Sequence, residues 1–294
     1  MTRIILVTGT STGLGVSIAV KAAQMGHRVY ATMRRPEKRH TLDEAAQRAG
    51  VTLEVLQLDV QDEASVQNAV DTVIAREGRI DTLINNAGAG FLRTTEQATP
   101  EEIDWVLDVN LKGVLRCTKA VIPHMRKAAI GHIITVSSVG GLVGQPFNEF
   151  YCAAKFGVEG YMESLASYLT PVFGINITIV EPGGISSDFA ANVLKQLEST
   201  GGLHDDVYRP ILERYIGGSQ DRQVGSDIYQ TPDEVADRVI ECMEAATPPL
   251  RTRTSKWGEE FTRLKTGLDP DGLKLVSQVA AGFLGGDIAD TKPG

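Results

Sequence analysis

Short apolar, β-branched runs alternate with longer amphipathic stretches along most of this chain, and turns rich in glycine or asparagine divide them. Arg3–Thr8 is a short apolar, β-branched run, the signature of a buried parallel strand, and Arg28–Met33, Thr52–Leu58, Ile80–Ile84, Ile133–Val136 and Ile175–Val180 read as the strands that follow it. Between them the spacing predicts helices over 16–25, 41–49, 64–76 and from Tyr151 to about Tyr168. Pro100–Met125 reads as a long helix or a broken pair, opened by Thr99 as cap and Pro100 in the first turn. Thr231-Pro232 opens a helix ending near Ala246 by the same logic, and the Thr/Arg alternation of Leu250–Thr254 fits a seventh strand at a sheet edge. Strand–helix units in series, with no linker-like break, predict one α/β domain over 1–255. Its core is a doubly wound parallel sheet of about seven strands with helices on both faces.

The pattern weakens from Asp188 to about Gln230, where Gly201-Gly202 and Gly217-Gly218 interrupt short apolar pieces. Short helices flanked by glycine suit a lid that opens and closes. Residues 256–294 carry amphipathic stretches around Trp257, Phe261, Leu264, Leu268, Leu273 and Val276. They predict an extension docked on the body or on a partner subunit, ending in a frayed polar tail from Asp287 to Gly294.

Composition removes several function classes. Hydrophobic residues make up 42% and charged residues 22%, as in a soluble globular protein. A formal net charge of −8 argues against general nucleic-acid binding. Cys117, Cys152 and Cys242 are widely spaced, with no C-x-x-C pair, so neither a disulfide framework nor a metal site is expected and a reducing compartment is the default. No stretch approaches the ~20 apolar residues of a membrane span, and the start of the chain shows no charged-then-apolar leader. The expected address is cytoplasmic.

The candidate chemistry gathers around Ser138 and Tyr151-Cys-Ala-Ala-Lys155. A tyrosine four residues before a lysine on a helix places both on one face. A phenol titrates near pH ~10, and a nearby ammonium favours the phenolate; lowering that pKa by ~3 units takes about 4 kcal/mol. Ser138 follows a β-branched run that would deliver its hydroxyl to the carboxyl edge of the sheet. Standing alone, Tyr-x-x-x-Lys would be an ordinary surface pair. Here a nucleotide site accompanies it. Gly9-Thr-Ser-Thr-Gly13-Leu-Gly15 breaks the first strand and opens the first helix, so glycines allow close backbone approach and the helix start offers N–H groups to a pyrophosphate. After the second strand no Asp or Glu occurs between Arg28 and Pro36, whereas Arg28, Arg34, Arg35, Lys38 and Arg39 cluster. An acidic residue there serves NAD and an arginine the 2′-phosphate of NADP, so NADP is favoured over NAD, with Arg34 or Arg35 making the contact.

These motifs, together with Asn85-Asn86-Ala87-Gly88, resemble the short-chain dehydrogenase/reductase family over residues 3–187, and more loosely over 188–255. The Val29–Arg34 turn and the apolar lid loosely resemble its hydroxysteroid and retinol dehydrogenase branches. The resemblance implies a Rossmann-type fold and hydride transfer between a nicotinamide cofactor and a carbonyl/alcohol carbon, with no metal. In it Tyr151 is the general acid/base and Ser138, 13 positions earlier and so preferred to Ser137, holds the reacting oxygen. Lys155 binds the nicotinamide ribose and lowers the Tyr151 pKa. Asn110 is the fourth catalytic position, its side chain or a local helix kink holding a water. The glycine loop (Gly9, Ser11, Thr12, Gly13, Leu14, Gly15) would take the pyrophosphate and Asp59-Val60 would border the adenine. Asn86, Ala87 and Gly88 would lie near the nicotinamide ribose, and Pro182, Gly183, Ile185 and Ser187 would reach the carboxamide, with Ser187 in place of the family's threonine. Ser138, Leu142, Phe147, Tyr151 and Phe189 would meet the substrate.

The resulting expectation is an NADP-dependent oxidoreductase of a bulky hydrophobic ketone, aldehyde or alcohol, working as a homodimer or homotetramer through the Tyr151 helix with its Gly157, Gly160 and Ala166. Reduction of a small polar 3-oxo compound and a non-catalytic, cofactor-sensing protein are the alternatives. The presence of Asn110, Ser138, Tyr151 and Lys155 together speaks against the last.

Overall fold

Seven parallel strands form the central sheet in the order β3-β2-β1-β4-β5-β6-β9. The structure is a computed structural model that describes residues 2–223 and 228–284. The strands are β1 (Ile4–Thr8), β2 (Arg28–Met33), β3 (Glu54–Gln57), β4 (Thr82–Asn85), β5 (Gly131–Val136), β6 (Ile175–Glu181) and β9 (Arg251–Arg253). Alternation within a strand feeds two cores. Ile4 and Leu6 of β1 join one with α3 (Glu63–Glu77), α5 (Gly113–Ala128) and α6 (Glu149–Phe173), whereas Ile5 and Val7 join the other with α1 (Leu14–Gln24), α2 (His40–Ala49) and α9 (Pro232–Glu244). This is the Rossmann-type arrangement expected, and β9 takes the expected edge position.

The helix starts follow their capping chemistry. Thr99 and Thr231 each form a capping box with a glutamate three residues on, opening α4 (Pro100–Leu107) and α9. Asp62 caps α3, its side chain accepting from the Ala64 and Ser65 amides; Asp59 instead accepts from the Gln61 amide. The long Pro100–Met125 stretch is one helical run, α4 passing into α5 through a widened π turn at Asp108–Lys112. Such a turn inserts one extra residue into the helix and is frequent at functional sites.

The segment expected to act as a lid forms α7 (Asp188–Ser199) and α8 (Arg209–Gln223). A short ladder that sequence periodicity did not suggest brackets it, β7 (Gly184–Ile185) pairing with β8 (Tyr229–Gln230). A small separate core, Leu92, Phe147, Leu197 and Leu212, ties the lid to the body. Arg93, 2% exposed, donates to the carbonyl oxygens of Thr200 and Gly202 (both 2.7 Å) and to Thr200 Oγ1 (2.9 Å), and it faces Glu102 at 3.5 Å. Arg93→Met is expected to lower stability by about 3 kcal/mol, because it strips hydrogen bonds and a counter-charge from a buried cluster. Hydrogen exchange should then quicken selectively at 196–203, and unchanged protection there would show that Arg93 does not hold the lid.

The extension packs on the body through α10 (Lys256–Thr266), beside β9, and α11 (Leu273–Leu284), along α6. Trp257 stacks on Phe261 at 4.7 Å and covers Gly183. The polar tail expected over Asp287–Gly294 lies outside the described residues. Among the described residues no helix is long and apolar enough to cross a membrane, and no cluster of His, Cys, Asp or Glu could hold a metal ion.

Candidate active site

The glycine loop and the end of β4 are knitted into one unit. A Cβ on Gly15 would stand 2.2 Å from the Gly9 carbonyl oxygen, and one on Gly9, at φ 72°, would lie 2.7 Å from Ala87 Cα. The Asn86 side chain donates to the carbonyl oxygens of Thr8 and Gly9 (both 2.9 Å), and Thr8 Oγ1 accepts from the Asn86 and Ala87 amides (both 3.0 Å). Asn86 therefore shapes the loop rather than projecting from it. Asn85 ties β4 to its neighbours, donating to Thr118 Oγ1 and Thr135 Oγ1.

Helix α1 starts at Gly13 with no side-chain cap and no acidic residue in its first turn. Its first amides and the positive end of its dipole thus face the loop, a fit for a dinucleotide pyrophosphate. Ser187, capping α7 by accepting from the Phe189 amide, lies against Gly13, 3.4 Å from where a Cβ would be. The Pro182–Ser187 segment and the glycine loop consequently border one cleft. In the basic cluster, Arg28 pairs with Glu77 (2.6 Å) and Arg39 with Asp43 (2.8 Å), while Arg34 and Arg35 are exposed and have no acidic partner among the described residues. Val60 packs on Gly113 and its carbonyl accepts from Arg116.

Ser138, Tyr151 and Lys155 meet at the carboxyl end of β5. Ser138 Oγ accepts from the Gly140 amide (3.0 Å) at the start of a tight turn over Val139–Gly141, and Gly140 lies between Ser138 Oγ and the Tyr151 ring. Lys155, 5% exposed, donates to the Val136 carbonyl oxygen (3.0 Å) with Nζ 5.8 Å from the Tyr151 ring centre. Burial pushes the Tyr151 phenol up to about 12 against the opposing effect of the Ser138 hydroxyl, and burial brings Lys155 down to about 8 against the pull of Glu159. In this arrangement the phenol stands above its ordinary value, with desolvation as the largest cause. Desolvation of both groups outweighs an ammonium that is turned toward a backbone carbonyl.

Asn110 lies on the π turn and is wholly buried. Its Nδ2 donates to the carbonyl oxygens of Ala89 (2.8 Å) and Val106 (2.9 Å), and its Oδ1 accepts from the Ala89 amide (3.0 Å). Both amide hydrogens are committed, which anchors the side chain within the widened turn. Phe189 of the lid stands edge-on to Tyr151, ring centres 6.2 Å apart, and Leu142 is buried nearby in the loop after Ser138. Phe147 sits at φ 62°, a conformation rare outside glycine, and packs on Tyr215 of the lid at 5.4 Å.

Known proteins share this architecture. The family model described as short chain dehydrogenase matches residues 3–198. The chain is 38% identical over 280 residues to bovine (Bos taurus) retinol dehydrogenase 8, covering 93% of this chain and 88% of that protein. It is 36% identical to human (Homo sapiens) 17-beta-hydroxysteroid dehydrogenase type 1, covering 93% and 84%. It is also 36% identical to 3-ketodihydrosphingosine reductase of Bacteroides thetaiotaomicron, covering 92% and 94%. Among solved structures, a short-chain dehydrogenase from Streptomyces avermitilis superposes with a TM-score of 0.75 at 27% identity, covering 96% of this chain and 99% of that one. The F189W actinorhodin polyketide ketoreductase with NADPH gives 0.72 at 28% identity, covering 85% and 94%. With its glycine loop, its parallel sheet and a Ser-Tyr-Lys cluster at the carboxyl end of β5, the chain belongs to the short-chain dehydrogenase/reductase family of oxidoreductases.

Proposed function

We propose that the protein interconverts a bulky hydrophobic ketone or aldehyde and its alcohol, with NADP as the preferred cofactor. The observation that carries this reading is the convergence of Ser138, Tyr151 and Lys155 beside a dinucleotide cleft. The nicotinamide supplies or accepts the hydride. Tyr151 gives a proton to the carbonyl oxygen or takes one from the alcohol, and Ser138 donates a hydrogen bond to that oxygen as charge develops. Lys155 holds the ribose, and the π turn at Asn110 completes a proton path to solvent. Phe189, over the phenol, and Leu142 present apolar surface to the substrate. The names of three relatives refer to retinol, a hydroxysteroid and a ketodihydrosphingosine, all large and apolar.

The NADP preference rests on Arg34 and Arg35, exposed at the end of β2 without an acidic partner among the described residues. Replacing both by alanine is expected to raise the KM for NADPH by about 10–100-fold, the worth of about 1.5–3 kcal/mol in charge-assisted hydrogen bonds. The KM for NADH should move by less than ~3-fold. Absorbance assays with each cofactor on a panel of carbonyls, from small and polar to steroid-sized, decide both points. A native preference for NADH removes the arginine role, and turnover of only the small polar members removes the bulky-substrate reading.

The reading includes a cytoplasmic homo-oligomer, consistent with three buried free cysteines. Gly157 and Ala166 face the chain's own interior, so an interface on α6 would instead use Phe156 and Tyr168, exposed on either side of the open Gly160.

A further inference from the structure

Directly behind the reacting trio lies a buried acidic group that the hydride chemistry does not use. One turn beyond Lys155, Glu159 continues the face that carries Tyr151 and Lys155, and it is 6% exposed. Its neighbours come from four other segments. The Ser137 hydroxyl, next to Ser138, lies on the other side of Gly141 from its carboxyl and, like it, has no hydrogen-bond partner among the described residues. Gly141, ending the turn after Ser138, leaves so little room that a Cβ would lie 3.0 Å from Glu159 Oε1 and 2.7 Å from Ser137 Oγ. Glu181, wholly buried, closes β6 just before the Pro182–Ser187 segment and faces Glu159. On the far side of Glu181 stand Arg253 (3.2 Å) and Arg251 (4.0 Å) of β9. These are tied outward in turn, Arg253 to Glu259 of α10 (2.9 Å) and Arg251 to Glu163 of α6 (2.5 Å).

The charges do not balance if every carboxyl is ionised. Arg251 and Arg253 form ion pairs with Glu163, Glu259 and Glu181, so among the described residues Glu159 has no ion pair of its own and feels Arg251 and Lys155 only at longer range. Both Glu159 carboxyl oxygens and Glu181 Oε1 are sealed from solvent with no donor among the described residues. Two facing carboxylates deprived of water and donors repel each other strongly, whereas one proton between them removes the repulsion and supplies the missing donor. Burial and the charge of Glu181 hold the Glu159 carboxyl well above the usual carboxylate range. Burial also raises Glu181, but Arg253 and Arg251 oppose the rise, so the proton resides on Glu159.

We propose that Glu159 and Glu181 form a carboxyl pair holding one proton, and that this pair positions the catalytic trio by fastening the Ser138 turn and the end of β6 to the Tyr151–Lys155 face of α6. The proposal rests on the oxidoreductase reading above. It also couples the pair to Lys155. When the pair loses its proton at alkaline pH, a negative charge appears one turn from Lys155 and helps that lysine keep its own proton.

The test uses the intact protein, beginning with wild-type turnover of an apolar ketone by NADPH. Glu159→Ala, which removes the fastening, is expected to lower kcat by about 30–100-fold through displacement of Ser138 and Tyr151. Glu159→Gln keeps the shape, donates to Glu181 and should restore kcat to within ~3-fold of wild type. Its alkaline limb of kcat/KM should fall at lower pH than in wild type, since glutamine cannot acquire the charge that protects Lys155. Infrared spectroscopy of the cofactor-free protein at neutral pH should show a protonated-carboxyl band that Glu159→Gln lacks. A wild-type level of kcat in Glu159→Ala, or a Glu159→Gln enzyme as impaired as Glu159→Ala, overturns the positioning role. An unmoved alkaline limb overturns the coupling, and absence of the infrared band overturns the shared proton. If wild type reduces no carbonyl, the oxidoreductase reading fails by itself while the infrared result still decides the pair.

Discussion

Tyr151→Phe is expected to lower kcat/KM for the carbonyl substrate by about 10²–10⁴-fold, the usual contribution of a positioned general acid, equivalent to about 3–5 kcal/mol of barrier. The substitution removes one oxygen. The ring keeps its edge-on contact with Phe189, and Lys155 keeps its hydrogen bond to the Val136 carbonyl, so neither the lid contact nor the cofactor face of α6 should move. Affinity for NADPH, followed by nicotinamide fluorescence, should therefore change by less than ~3-fold, which separates lost chemistry from lost binding. Burial already holds the phenol up to about 12, so the group is a protonated acid across the neutral range and ready for the reductive direction. Retention of more than about a tenth of wild-type kcat/KM would remove Tyr151 from the proton-transfer role.

Gly15→Ala is expected to abolish productive cofactor binding, with affinity for NADPH falling by at least about 100-fold. The added methyl group would stand 2.2 Å from the Gly9 carbonyl oxygen and 2.6 Å from Asn86 Nδ2, distances that real side chains do not tolerate. Neither neighbour can yield cheaply. Gly9 is backbone held at positive φ against Ala87, and Asn86 is committed to the Thr8 and Gly9 carbonyls. Relief must come from moving the loop away from the first turn of α1, which disperses the amides that would meet the pyrophosphate. Overpacking of this kind costs about 1–3 kcal/mol, so the melting temperature should fall by roughly 2–12 °C. Gly160→Ala is the matching control. Its Cβ would meet nothing within 4 Å on an exposed face of α6, and a helix-interior alanine should leave cofactor affinity unchanged. Equal cofactor affinity in Gly15→Ala and wild type would show that the loop does not cradle the dinucleotide.

Much of the molecule is legible in local sequence because the signals are local. Six runs rich in Val, Ile and Leu mark six strands to within a few residues, most clearly β1 and β5, whose residues are all buried. The Tyr151–Lys155 spacing places two side chains on one helix face by geometry alone, and a glycine loop between a strand and a helix creates an amide-lined start by the same local logic. The edge position of β9 agrees with the alternation of Thr and Arg, although burial of Arg253 against Glu181 is a tertiary feature that the alternation does not show.

What the tertiary structure decided depends on groups far apart along the chain. Which arginines of the basic cluster remain available is set in part by Glu77, 49 residues on, which engages Arg28, while the local Asp43 engages Arg39 and Arg34 and Arg35 stay uncommitted among the described residues. Asn110 reads in sequence as a position acting through its side chain or a local helix kink; the packed structure commits its amide hydrogens to Ala89 and Val106 and carries it on a π turn that leaves no periodic trace. The opposed shifts of Tyr151 and Lys155 come from desolvation by packed elements that no residue spacing encodes. Glu159 looks in sequence like any charged residue of an amphipathic helix. Only the approach of Glu181, Ser137 and Gly141, from strands and turns many residues away, removes it from water and makes its proton part of the site. Backbone periodicity and residue spacing are properties of neighbouring residues and survive in one dimension; dielectric, charge balance and hydrogen-bond completion are properties of the packed interior and exist only after it has formed.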